Sequence, residues 1–470
     1  MDIKAALGDP HAAIAGLWGS AERCPHSHQI IELAAAIAAL TPALKQQREQ
    51  KQLCAKQFGA AKAGGGDIEA LKAEMQRVSA ALHELEQQRK TLETEFAALL
   101  QHNTVTTDAP TLPQRFLPHP PRAPNAAAAT IAGIDTAHAD EWDAYVDSHP
   151  QASLYHRSVW RAVIANTFGH ESHYFVARNA DGAICGVLPL IRLRSRLFGD
   201  FGVSLPFFNY GGPLADSPII AQQLLEHAAD IARQLGLKHL EIRATSALPL
   251  WPARTDKLSM LLRLPGSVEK LENGLGAKLR SQIKRAQQEG AEVRSGGAEL
   301  LDDFYTVFAI NMRDLGTPVY AKQFFAAILQ ALPAHSRIVA LRLRGRPVAA
   351  AFLLGDRDLL EIPWASTLRS VNALNLNMQL YWEVLKLAIE RGHEFFDFGR
   401  STQDSGTYRF KKQWGAQPLP HHWHYWLPDG GELPALKPDN PKFRLLIACW
   451  QRLPIFVTKL IGPPIVKNLP

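Results

Sequence analysis

From Ile68 onward the apolar residues fall at Ile68, Leu71, Met75, Val78, Leu82, Leu85, Leu92, Phe96 and Leu99, a 3-4-3-4 spacing broken only by Arg89. On a helix that spacing makes one continuous seam, which is buried only against another helix. The earlier run Ile30, Leu33, Ile37, Leu40, Leu44, Cys54 and Phe58 keeps the same register, with a kink predicted at Pro42. Gly64-Gly65-Gly66-Asp67 joins the two runs, Asp67 being a suitable N-cap, so residues 1–105 predict an antiparallel helical hairpin. Six prolines between Thr106 and Ala129 then predict an extended, semi-rigid linker over 106–129. The hairpin is therefore expected to be an arm hung before a separate body.

At 470 residues the chain is long enough for about three units. No window holds the roughly 18 consecutive apolar residues of a membrane span, and the N-terminus lacks the basic and apolar tracts of a signal peptide, so a cytoplasmic location is expected. Cys24, Cys54, Cys185 and Cys449 have neither metal nor redox spacing, so neither a disulfide framework nor a zinc site is suggested; no metal and no cofactor is expected. The net charge of +6 favours anionic partners only weakly until it is located.

One concentration lies in the arm, where Lys45, Arg48, Lys51, Lys56 and Lys62 face Glu49 alone. Such a face can track a phosphate backbone, or it can form ion pairs with the acid-rich second helix. Periodicity by itself equally suits a dimerisation or spacer coiled coil. Met1-Asp2-Ile3-Lys4, Gly8 to Ala13, and Arg48 through Lys62 with its Lys-x-x-Gly-x-x-Lys segment resemble the N-terminal tRNA-binding arm of seryl-tRNA synthetases. The resemblance implies tRNA binding through those five cations, although nothing like a synthetase catalytic domain follows.

The body reads as mixed α/β. A hairpin is signalled by His173 to Arg178, the turn Asn179 to Gly182, and Gly186 to Ile191, followed by a helix near 220–235 and a strand at Leu240 to Arg243. The second half repeats the plan: helices near 267–289, 298–312 and 321–332, strands at Arg337 to Leu343, Val348 to Leu354 and Leu359 to Ser366, a helix near 375–391, and a strand ending Phe396-Asp397-Phe398-Gly399. A duplicated fold follows, with halves 130–265 and 266–427 and a basic, apolar tail over 428–470.

Several residues are candidates for chemistry. Arg409, Lys411 and Lys412 are packed among aromatics in Tyr408 to Trp414. Arg280 and Lys284 share a helix face beside Arg285, as an anion clamp would require or as a solvated surface would also show. Asn209-Tyr210-Gly211-Gly212 forms a tight loop suited either to a cleft or to a structural turn. Glu361 and Asp397 sit at or near strand ends, where a carboxylate can be a base or a structural group. His421 to Trp426 has no acidic or cysteine partners at metal spacing and reads as an edge strand.

Arg280 to Ala286 with Gly290, Gly345 to Ala350, Arg391-Gly392 before Phe396 to Gly399, and Tyr408 to Lys412 with Gly415 together resemble the FemAB family, tandem GNAT-fold aminoacyl and acyl transferases. Leu205 to Leu214 and Ile461 to Lys467 are most similar to FemAB-related proteins of exosortase (PEP-CTERM) and exopolysaccharide systems. The resemblance implies a transfer centre at Phe410 and Lys411, with Lys411 stabilising an oxyanion and Phe410 shaping the pocket. Glu361 and Asp397 rank behind them, and Arg280, Lys284, Arg285, Asn209, Tyr210, Arg409 and Lys412 are the expected substrate contacts.

The chain lacks the Gln/Arg-x-x-Gly-x-Gly/Ala loop that binds pyrophosphate in coenzyme A-dependent GNAT enzymes, since Gly274-Leu275-Gly276-Ala277 has no leading residue. Aminoacyl-tRNA is thus the expected donor and an amine of an envelope or exopolysaccharide precursor the expected acceptor. An acyl-CoA or acyl-carrier-protein enzyme, and a non-catalytic scaffold of an export complex, are the alternatives. The tail from Phe443 carries Arg444, Arg452 and Lys459 with no acid and is broken by Pro454, which suits either peripheral contact with the cytoplasmic membrane surface or packing back over the body.

Overall fold

The structure, a computed structural model, describes residues 7, 9, 10, 27–64, 68–101, 112–117, 122, 129–195, 198–248, 250–428, 430, 433 and 441–469. The signatures at 1–4, the Asp67 cap and most of the proline stretch lie outside the described residues, as do the side chains of Lys56 and Lys62. Residues 1–109 and 110–470 form two compact units.

In the first unit, α1 (Ser27–Gly64) pairs with α2 (Ile68–Gln101). Ile30, Ile37, Leu44 and Cys54 are buried along α1 and Val78, Leu82 and Phe96 along α2, as the seam requires. Pro42 does not end α1. Lys45, Arg48 and Lys51 are exposed, and Arg48 pairs with Glu86 of the facing helix at 2.9 Å, so one member of the basic stripe makes a cross-hairpin ion pair.

The body begins with β1 (Thr130–Gly133), α3 (Ala139–Ser148), α4 (Val159–Phe168), β2 (Glu171–Arg178), β3 (Ile184–Ser195), β4 (Gly199–Val203), β5 (Leu214–Ala215), α5 (Pro218–Gln234), β6 (Leu240–Ala244) and β7 (Ala253–Arg254). It continues with β8 (Lys257–Arg263), α6 (Val268–Gly274), α7 (Ala277–Gln288), β9 (Glu292–Gly296), α8 (Leu301–Leu315), α9 (Lys322–Ala331), β10 (Ser336–Leu343), β11 (Arg346–Asp356) and β12 (Leu359–Thr367). Last come α10 (Leu376–Glu390), β13 (Phe395–Thr402), α11 (Gly406–Lys412), β14 (Gln417–Pro420), β15 (His422–Trp426), α12 (Pro441–Trp450) and α13 (Ile455–Val466).

Two sheets result. One runs β1-β2-β3-β4-β6-β15-β7 with β5 beside β3, and the other β14-β8-β13-β12-β11-β10-β9. In each, one parallel pair, β4/β6 or β12/β13, interrupts antiparallel pairing, which is the duplicated plan expected from the sequence. The halves exchange strands, however: β8 leaves the first half to pair with β13, and β15 returns from the second to pair with β6. A chain boundary at 265/266 is therefore not a boundary in space. One aromatic-rich cluster, including Trp160, Phe208, Phe304, Phe324 and Phe352, also spans both halves. His422 to Trp426 is correspondingly an interior strand with Trp423, His424, Tyr425 and Trp426 buried, not the edge strand read from the sequence.

The predicted linker contains a docked segment. Arg115 is 6% exposed and donates to the Asp356 carbonyl at 2.7 Å and to Asp358 Oδ1 at 3.1 Å, while Phe116 stacks edge-on against Tyr210. A buried arginine needs fixed acceptors, so residues 114–116 belong to the body rather than to a free spacer.

The tail packs back in part. Thr458, Gly462 and Val466 are buried along α13, where a Cβ on Gly462 would lie 2.9 Å from the Val319 nitrogen, and His170 Nε2 lies 2.7 Å from the Lys467 carbonyl. The opposite face leaves Phe456 and Leu460 73% and 74% exposed. Among the described residues no helix is long and apolar enough to cross a membrane.

Candidate active site

Parallel pairing of β12 with β13 holds only for Leu359/Phe395, Leu360/Phe396 and Glu361/Asp397. Beyond it β12 pairs only with β11, while β13 shifts register against β8 between Asp397 and Arg400, so the two strands part just after the two carboxyls. Gly399 makes the turn of the strand possible. Its φ is 73°, and a Cβ there would sit 3.1 Å from the Ile362 carbonyl.

Both carboxyls are buried, Asp397 completely. Glu361 Oε2 accepts from the Tyr155 hydroxyl at 2.6 Å and Oε1 from Asn209 Nδ2 at 3.2 Å, so residues of the first half hold a carboxyl of the second. Asp397 Oδ1 accepts from the Gly399 amide at 2.7 Å, and Oδ2 shares a 2.8 Å hydrogen bond with Ser259 Oγ on the exchanged strand β8. Ser259 Oγ is in turn 3.0 Å from His421 Nε2, and His421 Nδ1 is 3.0 Å from the Asn209 carbonyl. Burial raises the pKa of Glu361 to about 8, helped by the Asp397 charge, and burial also raises that of Asp397.

Lys411 enters from α11, whose first turn is capped by Ser405 Oγ accepting from the Tyr408 amide at 3.2 Å. Its ammonium is buried and donates to the carbonyls of Gly399 at 2.8 Å and Arg400 at 2.9 Å. An ammonium has three donors, so one remains for a further acceptor. Burial lowers its pKa to about 8. Phe410 is half-buried and meets Tyr381 edge-on at 5.0 Å. Tyr210 is buried between Phe116 and Tyr155 and makes the wall beside Glu361.

The remaining candidates do not join this cluster. Arg409 is exposed and donates to the Asp404 carbonyl, and Lys412 lies over Tyr408. Arg280 and Lys284 line a separate hollow of about 580 Å³ with Trp382, and Arg285 is not part of that lining. A hollow of about 370 Å³, lined by Arg115, Arg122, His149 and Asp216, lies in the first half, and a smaller one of about 80 Å³ reaches Tyr210 and Arg243. Glu361, Asp397 and Lys411 line none of these three, so the chemistry is found from hydrogen bonding and charge rather than from void volume.

Tyr155, Ser259, His421 and Arg400 were missed in the sequence. Only long-range folding gathers Tyr155, Ser259 and His421, whereas Arg400 shares strand β13 with Asp397, and only the aromatic and histidine density of 421–426 hinted at His421. Arg400 lies 5.4 Å over the Trp423 ring, and its pKa is lowered by the protein packed around it and by the neighbouring Arg243 charge. Among the described residues no group of acidic, histidine and cysteine side chains could hold a metal ion.

Residues 276–412 match the family described as an acetyltransferase (GNAT) domain. Comparison with curated proteins gave no match. Among solved structures, FemX is similar at 15% identity, covering 63% of this chain and 96% of its own with a TM-score of 0.47. A tandem GNAT protein from the clavulanic acid biosynthesis pathway is 13% identical, covering 65% and 99% with a TM-score of 0.42. L-PGS from Bacillus licheniformis is 13% identical, covering 69% and 96% with a TM-score of 0.41. With the duplicated sheets, the matched domain makes the body a tandem GNAT fold of the acyltransferase type, preceded by a helical hairpin.

Proposed function

We propose that this chain is an N-acyltransferase of FemAB type that forms an amide on an amine of a cell-envelope or exopolysaccharide precursor, with aminoacyl-tRNA as donor. The observation that carries the reading is the buried Glu361, Asp397 and Lys411 cluster at the parting of the parallel strands, inside the segment that matches a GNAT domain. The amine nitrogen bonds to the carbonyl carbon of the donor ester, and its proton passes to the carboxyl cluster. The ester C–O bond then breaks and the leaving oxygen takes up a proton. The free N–H of Lys411 is the candidate donor to the developing oxyanion, a contribution of about 3–4 kcal/mol where water is excluded.

The donor assignment rests on the basic stripe of α1 and on the missing pyrophosphate loop. Lys45, Arg48, Lys51, Lys56 and Lys62 are proposed to grip tRNA, while Arg280, Lys284, Arg285, Arg409 and Lys412 are proposed phosphate contacts. Single-turnover transfer from aminoacyl-tRNA, with and without RNase, tests this against acyl-CoA and acyl carrier protein. RNase-resistant transfer from a thioester would select the alternative donor, and no transfer from any of the three would favour the scaffold.

The tail supports peripheral contact with the cytoplasmic membrane surface. Phe456 and Leu460 point away from the body on a segment whose charged residues, Arg452 and Lys459 among them, are all basic. Co-sedimentation with anionic liposomes should fall in a Phe456→Ser, Leu460→Ser double variant, which leaves the packed face of α13 intact. Equal sedimentation would remove the membrane from this reading.

A further inference from the structure

Residue identity fixes the direction of the hydrogen bonds made by the Asn209 carbonyl and side-chain NH2, whereas the Ser259 hydroxyl can donate either to an ionised Asp397 or to His421. The Asn209 carbonyl can only accept, and it receives His421 Nδ1 at 3.0 Å and Trp423 Nε1 at 3.1 Å. His421 therefore carries its proton on Nδ1, and Nε2 of the neutral ring is an acceptor facing Ser259 Oγ at 3.0 Å. Ser259 has one hydroxyl proton. If it goes to His421, the 2.8 Å contact between Ser259 Oγ and Asp397 Oδ2 needs its proton from Asp397. Glu361 is wired oppositely: the Tyr155 hydroxyl and the Asn209 amide both donate to it, which suits a carboxylate.

We propose that Ser259 and His421 act as positioning residues that keep Asp397 protonated, so that Glu361 is the carboxyl of the pair that ionises. This rests on the transferase reading only for its use, since an ionised Glu361 beside an acid Asp397 supplies a proton acceptor without placing two negative charges side by side. The groups facing Asp397 are Glu361 from β12, Lys411 from α11, Ser259 from β8, the phenols of Tyr155 and Tyr210, and the backbone amides of Gly399 and Met260, which favour its ionised form. Lys411 favours ionised Asp397 but favours ionised Glu361 too. Arg243, Arg400 and His422 face His421, which burial and those charges hold neutral with a pKa lowered to about 4. A neutral Asp397 also removes one of the influences that raise Glu361.

The test is difference infrared spectroscopy of the full chain at about pH 9, above the value of about 8 to which burial and the Asp397 charge raise Glu361, read at the carboxylic-acid carbonyl stretch and independent of any transfer assay. A buried acid band is expected in the wild type, lost in Asp397→Asn and kept in Glu361→Gln. Asp397→Asn should melt within a few degrees of wild type, because a carboxamide can donate to Ser259 and accept from the Gly399 amide as the acid does. In His421→Phe the Ser259 hydroxyl is free to turn toward Asp397, so the band should titrate away at lower pH than in wild type. A band that disappears in Glu361→Gln, persists in Asp397→Asn or is absent from the wild type overturns the proposal. An unchanged titration in His421→Phe removes the role of His421. If transfer is never detected but the bands behave as described, the protonation assignment stands and the transferase reading fails.

Discussion

The two halves of the body place a carboxyl at the same point of the same topology and treat it differently. In the first half Glu241 pairs in register with Val203 across the parallel strands, and its charge is met at once. Arg243 Nε donates to it at 2.7 Å, the Tyr425 hydroxyl donates at 2.8 Å, and the guanidinium lies 4.3 Å over Trp423. In the second half Asp397 pairs with a second acid, Glu361, and the nearby cation Lys411 spends two of its donors on backbone carbonyls. A carboxylate bound to its own arginine is a structural element. Two acids and a partly engaged lysine out of water have shifted protonation equilibria, which is the condition for acid–base chemistry near neutral pH.

The largest effect that sharpens this contrast belongs to the first half. Arg243→Met should cost about 3–5 kcal/mol in stability, because it leaves Glu241 buried and uncompensated. Chemical denaturation measures it, and transfer per folded molecule should stay near wild type. If stability is unchanged, the two halves are not distinguished by charge compensation. Next, Lys411→Ala should lower single-turnover transfer about 100-fold or more through the lost donor. Transfer within a few-fold of wild type would make Lys411 a purely structural clamp on β13.

A smaller effect concerns pH. Glu361 has its folded pKa raised from 4.5 to about 8, so the folded state binds more protons than the unfolded chain between those values. Its contribution to stability is complete below 4.5 and is lost as pH rises through about 8. Melting temperature against pH should therefore fall less steeply in Glu361→Gln than in wild type over that window, and parallel curves would place the titration elsewhere. The smallest effect is in the arm. Arg48→Ala should leave melting unchanged, since its bond to Glu86 lies in solvent. Reversing Arg48, Lys51 and Lys56 together should weaken tRNA binding at low salt, and unchanged binding would return α1 to a spacer role.

Periodicity in the sequence was sufficient for two helices that pair, because a seam at every 3.5 residues is buried only against another helix, and the glycine-rich join between the two runs pointed to a hairpin. Alternation and turn residues also carried the duplicated strand and helix order of the body and put Glu361 and Asp397 at or near strand ends, whereas the GNAT-like class and the choice of Lys411 came from the resemblance to the FemAB family. Alternation, turn residues and cations between aromatics are all local signals.

The sequence could not show that β8 and β15 change sheets, because a strand's alternation is the same whichever neighbour it pairs with. Only the tertiary structure therefore brought Ser259 and His421 to Asp397, and Tyr155 and Asn209 to Glu361, across separations of 138 and 206 residues for Ser259 with Asp397 and Tyr155 with Glu361. It also turned part of a proline-rich spacer into a docked segment, because the buried Arg115 finds acceptors at Asp356 and Asp358. Composition and spacing determine which residues can be buried together. Which donor meets which acceptor in that dry interior, and so which acid keeps its proton, is decided by the fold.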